Sequence, residues 1–117
     1  MKIKDVDKVC IVDIAGNAIS KSDLIELKKI FEKKVLKKRI GINLKNVLDT
    51  GHEFLDFLEQ CCEKQKLSVF NVNNEVYLML FILKYDKYVN IYLNEEDFYS
   101  DKKCIVYRRL KLLKKAA

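Results

Sequence analysis

The sequence predicts an α/β fold: a single domain with a mostly parallel sheet of four to five strands and helices packed mainly on one face. Three observations carry this. Short β-branched, apolar runs alternate with longer amphipathic segments, the rhythm of βαβ units. No proline, three glycines and no Ser-rich stretch leave nothing that reads as a linker. A length of 117 residues suits one hydrophobic core and leaves no room for two.

Element by element, Lys2 to Lys4 reads as an edge strand, with Asp5-Val6-Asp7 as the turn that follows. Lys8 to Ile14 (KVCIVDI) is nearly all apolar, as a strand buried on both faces should be. Gly16-Asn17 ends it. Ser20, Ser22 and Asp23 are candidate N-caps for a helix whose Leu24, Leu27, Phe31 and Val35 recur at helical spacing between lysines and glutamates. Arg39 to Leu44 (RIGINL) is the next strand. Thr50-Gly51-His52-Glu53 then matches the capping-box pattern, which predicts Thr50 as N-cap and Glu53 as the residue that bonds back. Phe54, Leu55, Leu58, Cys61 and Cys62 form the buried stripe of that second helix.

Lys66 to Val72 is a further strand, and Asn73-Asn74 supplies a turn with a good N-cap. The third helix, Glu75 to Lys84, is apolar on every side. Val76, Leu80 and Leu83 fit a sheet-facing stripe, which leaves Tyr77, Met79, Phe81 and Ile82 needing a second burial surface. These four are the candidate partner-binding or dimer residues. Val89 to Leu93 is the last strand, and Asn94 followed by Glu95, Glu96 and Asp97 opens a final helix. Right-handed crossovers place the helices together on one face if the strand order does not reverse. Residues 101–117 form a basic C-terminal extension. Its Val106, Leu110, Leu113 and Ala117 fit one helical stripe, Cys104 to Tyr107 fits an edge strand equally well, and docking on the domain of residues 1–100 is expected either way.

Composition narrows function. The net charge is +6, but the lysines are spread along the chain and Lys28, Lys29, Lys33, Lys34, Lys37 and Lys38 ring the solvent side of one helix, so nucleic acid is not the expected partner, and binding it through the basic tail is the weaker alternative. Cys10, Cys61, Cys62 and Cys104 show no metal or redox spacing and read as free thiols. The charged N-terminus MKIKDVDK lacks an apolar export core, and no run is long enough to span a membrane. Reduced thiols without an export signal lead us to expect a cytoplasmic protein. His52 is the single histidine, and no Gly-rich phosphate loop, serine elbow or metal motif appears, so neither catalysis nor a cofactor is expected.

With that order of elements, the chain resembles the STAS domain family, which includes anti-sigma factor antagonists. The resemblance runs from residue 3 to about residue 100. It rests on Ile14-Ala15-Gly16-Asn17-Ala18 after the first long strand, on Ile42 to Val47 with Asn43 where the family usually has Asp, and on Leu67 to Val76. Tyr85 to Tyr92 followed by Asn94-Glu95-Glu96-Asp97 completes it. It implies a regulatory module that binds a protein partner, an anti-sigma factor or a kinase-like regulator. Switched members carry a phosphorylated Ser or Thr motif at the start of the second helix. Here that motif is degenerate. An ungapped register puts His52 and Glu53 on the two serines, and a short deletion puts Asp49-Thr50 on Asp-Thr. Thr50 is thus the phospho-acceptor candidate, with Asp49, His52 and Glu53 around it, and the usual serine switch is not expected.

Overall fold

The computed structural model describes residues 1–34 and 38–103. Val35 and the expectations for Cys104 to Ala117 lie outside the described residues. The strands are β1 (Lys2–Val6), β2 (Val9–Asp13), β3 (Arg39–Asn43), β4 (Leu67–Phe70) and β5 (Val89–Tyr92). The helices are α1 (Lys21–Lys34), α2 (His52–Cys61), α3 (Asn74–Ile82) and α4 (Glu95–Ser100), with a 3-10 turn at Tyr85–Lys87. One sheet holds the strands in the order β1-β2-β3-β4-β5. The β1–β2 pair is antiparallel, in the register Lys2↔Asp13 to Val6↔Val9, and every later pair is parallel. The predicted α/β architecture is therefore the observed one.

Because the order never reverses, successive right-handed crossovers carry α1, α2 and α3 to the same side of the sheet. Alternation along the strands sends Cys10, Val12, Ile40, Ile42, Leu67, Val69, Val89 and Ile91 to that side. There they pack with Leu24, Leu27, Ile30 and Phe31 of α1, Phe54, Leu55, Phe57 and Leu58 of α2, and Val76, Tyr77 and Leu80 of α3. Phe31 and Phe57 meet edge to face at 6.3 Å and tie α1 to α2. Ser20 starts α1 as a reciprocal cap: its Oγ accepts from the Asp23 amide at 3.1 Å, and its own amide donates to Asp23 Oδ2 at 3.1 Å.

The opposite face is also buried, and α4 is the helix that reaches it. No strand follows β5, so α4 is not a crossover and its side is not dictated by handedness. Phe98 of α4 clusters with Val9, Ile11, Phe70 and Tyr92, all from the alternate strand positions. Its ring stacks on Phe70 at 5.4 Å and meets Tyr92 edge to face at 5.6 Å. The Arg39 guanidinium lies 4.5 Å from the Phe98 centroid. The Tyr92 hydroxyl donates to Asp101, just past the end of α4, and accepts from Arg39 at 3.1 Å. That hydrogen bond holds the Asp101 carboxyl below its ordinary range. The contact thus contributes stability at neutral pH that is lost as the pH falls and Asp101 protonates.

Gly41, in the middle of β3, makes this closure possible. A Cβ built there would stand 2.7 Å from the tip of the Phe98 ring. Gly41→Ala should therefore destabilise the domain by about 1–3 kcal/mol through overpacking. Chemical denaturation should show that loss shrinking by at least about 1 kcal/mol in a Phe98→Ala background, where the ring is gone.

Candidate functional site

The C-terminal ends of the parallel strands, where α/β proteins usually bind ligands, are occupied by the chain's own side chains. Asn43 Nδ2 donates to Asp13 Oδ1 at 2.9 Å, and Asn43 Oδ1 accepts from Asn71 Nδ2 at 3.1 Å and from the Lys45 amide at 3.0 Å. Asn71 sits in the left-handed region at φ 57. This network explains the Asn at position 43. An Asp there would set a second carboxylate against Asp13, where the amide now donates.

The start of α2 departs from the capping box expected of Thr50 and Glu53. The N-cap position is Gly51, at φ 76 and ψ 158, which has no side chain to cap the first turn. The helix begins one residue later than the pattern implies, because the positive φ of Gly51 turns the chain between Thr50 and His52. The backbone before it is pinned by a parallel bridge between Ala18 and Asp49, and Asp49 Oδ1 accepts the Gly51 amide at 3.0 Å. Thr50 is drawn inward to 1 % exposure, and its hydroxyl has no hydrogen-bond partner among the described residues. Glu53 is exposed. His52 is exposed too, its Nε2 3.4 Å from Asp56 Oδ2, an ion pair whenever the ring is protonated. Asp49, Thr50, His52 and Glu53 do share one end of α2, as the sequence predicts, but the hydroxyl is buried and the charges stay in water.

Of the four candidate interface residues on α3, Tyr77 is a correction. It is 3 % exposed and belongs to the core, together with Val76 and Leu80. Met79 packs half-buried against the same core. Phe81 and Ile82 are 37 % and 71 % exposed, and Leu83, expected on the sheet-facing stripe, is 52 % exposed. The reason lies in the end of the helix. Lys84 adopts a left-handed conformation at φ 62, so α3 stops after Ile82 and Leu83 never completes another inward turn. Three consecutive large apolar side chains are left at the tip of α3. Tyr85 follows them; burial pushes its phenol pKa up, with Glu59 and Asp56 of α2 adding to the shift.

Cys10 and Cys61 are buried and Cys62 is half-buried. Burial pushes the Cys61 thiol up to about 12, which keeps it protonated and unreactive at neutral pH. Among the described residues, no three His, Cys, Asp or Glu side chains group closely enough to hold a metal, and no helix is long and apolar enough to cross a membrane.

Neither a family model nor a curated protein matches the chain. Among solved structures, the chain is similar to the NMR structure of the protein TM1081. The TM-score is 0.66 and the identity 19 %, over 83 % of this chain and 84 % of that one. At that identity the likeness speaks for the fold alone.

A buried hydroxyl without a partner adds nothing to stability, whereas a capping hydroxyl is worth about 1 kcal/mol. Thr50→Val should therefore leave the melting temperature unchanged or raise it. A drop corresponding to about 1 kcal/mol would restore Thr50 as the N-cap.

Proposed function

We propose that the chain is a non-catalytic, cytoplasmic regulatory module of the STAS type, in the style of an anti-sigma factor antagonist. It engages a protein partner through the tip of α3 and lacks the usual serine phospho-switch. The observation that carries this is the run Phe81-Ile82-Leu83, which leaves three neighbouring apolar side chains in water at the end of a helix. Single exposed apolar residues are ordinary, but adjoining ones mark contact surfaces. The order of elements and the α/β fold are those expected of the family that the sequence resembles. An anti-sigma factor or kinase-like regulator is the partner that reading implies.

The start of α2 supports the absence of a switch. Leu48 to Leu58 contains no serine, and its single hydroxyl, on Thr50, is buried, so a kinase would have to unpack the loop to reach it. Glu53 holds a standing negative charge on the surface nearby.

The test is capture of a partner from the cytosol by wild type, Ile82→Glu and Phe81→Glu, with sedimentation of each protein alone. Ile82→Glu sits at an exposed position and should shift stability by no more than about 0.5 kcal/mol, leaving circular dichroism unchanged. The proposal expects a monomer that captures a partner, with capture lost in both variants. Undiminished capture by both would overturn it. A wild-type dimer that Ile82→Glu dissociates would establish instead that the α3 tip is a homodimer contact.

A further inference from the structure

Among the described residues, the tip of α3 is the one place where exposed large apolar side chains adjoin in sequence. Ile3, Val6, Ile25, Leu48 and Tyr99 stand singly, whereas Phe81, Ile82 and Leu83 follow one another. Tyr85 and Tyr88 extend the patch: both are half-buried, and their rings meet edge to face at 5.6 Å. Adjoining apolar side chains left in water mark a contact surface.

The chain itself supplies a segment of the matching kind, and the fold delivers it close by. Residues 104–117 follow the described part of the domain, with Val106, Leu110 and Leu113 on one helical stripe. That length spans about 20 Å as a helix and about 45 Å when extended. Just before it, Asp101 is held by the Tyr92 hydroxyl of β5 and lies 3.8 Å from the Arg39 guanidinium at the start of β3. β5 is an edge of the sheet, and the tip of α3 leads into it through the turn Tyr85–Lys87. The tail therefore leaves the domain beside the same edge strand, on the face of α4, with enough length to round that edge.

Charge favours the same destination. The tail holds Arg108, Arg109, Lys111, Lys114 and Lys115 and no Asp or Glu. α2 is the helix next to α3, since it crosses from β3 to β4 and α3 crosses from β4 to β5. Both run back against the strands, so the last turn of α2 and the tip of α3 share the end of the layer where β4 and β5 begin. α2 carries Glu53, Asp56 and Glu59, with Glu63 just beyond, and has no lysine or arginine. Glu59 and Glu63 enter no ion pair among the described residues. Lys84 and Lys87 lie on the turn with Asp86 between them, and Lys64 follows Glu63, so α2 rather than the turn is the side that favours a basic segment.

We infer that residues 104–117 fold back within the same chain over the tip of α3. Val106, Leu110 and Leu113 lie on Phe81, Ile82 and Leu83, and the basic side chains turn toward Glu59 and Glu63. The tail then guards the surface proposed for a protein partner, which has to displace it in order to bind. That consequence rests on the proposed function; the contact in the free chain does not.

The test is NMR of the isotopically labelled full chain, alone and mixed with unlabelled chain. Nuclear Overhauser contacts should link the Leu110 or Leu113 methyls to the Phe81 ring or the Ile82 methyls, and should persist on dilution. Contacts found only between labelled and unlabelled copies, or tail methyls that touch none of residues 81–83, would overturn the inference. Trypsin cleavage after Arg108 and Arg109 gives a second reading. Ile82→Glu should speed it at least about fivefold, because the sites are cut from the open form. Leu113→Glu, beyond those bonds, should do the same from the tail side. Cleavage unchanged in either folded variant would also overturn the inference. Neither measurement involves a partner, so failure of the proposed function would leave these results standing.

Discussion

The strand order governs the rest of this molecule. Five strands lie side by side in the sequence in which the chain makes them. A right-handed crossover between each parallel pair then leaves one destination for α1, α2 and α3. Two consequences follow. All three helices compete for one face, which makes that side the thick hydrophobic core. The other face must be closed by something that is not a crossover, and α4 contributes to this with Phe98 set on Gly41, Phe70 and Tyr92. A helix of six residues is too short to be stable by itself. Its position is held by the aromatic contacts, by the Asn94 cap, and by the Arg39, Tyr92 and Asp101 side chains just beyond it.

The same order bears on where a ligand or partner is met. An unreversed parallel sheet has no topological switch point, and so no ready crevice between diverging loops. Here the strand ends are knitted together by Asp13, Asn43 and Asn71 as well. On the helix layer two places stand out: the tip of α3, and the meeting point of the starts of α1 and α2. At the first, a helix ends early and leaves apolar side chains outside. At the second, a glycine turn leaves a hydroxyl inside and a helix start uncapped.

Much of this was legible in the residues. Four of the five strands declared themselves as short apolar runs, whereas the first runs on through Asp5 and Val6, read as a turn, to the pair Val6↔Val9; Asn73 and Asn94 cap their helices through side-chain oxygens as their positions imply. The α1 stripe of Leu24, Leu27 and Phe31 is buried. The misreadings share a cause, a backbone conformation that side-chain patterns do not encode. The Thr-x-x-Glu spacing is equally compatible with a helix that begins at Gly51 or at His52, and the positive φ of Gly51 decides for the latter. On α3 every face is apolar, so periodicity cannot rank Tyr77 against Leu83. The left-handed turn at Lys84 ranks them by stopping the helix. The position of α4 had no handedness rule to reveal it. The Asp13–Asn43–Asn71 network had one hint, the polar Asn43 closing an otherwise apolar strand.

The most direct measurement of this account is the nuclear Overhauser contact between the Gly41 α-protons and the Phe98 ring. With α4 on the face opposite α1, α2 and α3, one α-proton of Gly41 points into that ring. It should show strong cross-peaks to the Phe98 ring protons and an upfield ring-current shift. A Gly41 resonance at an ordinary position, with Phe98 instead in contact with Ile42 or Val12 on the other face, would contradict the arrangement on which the rest is built.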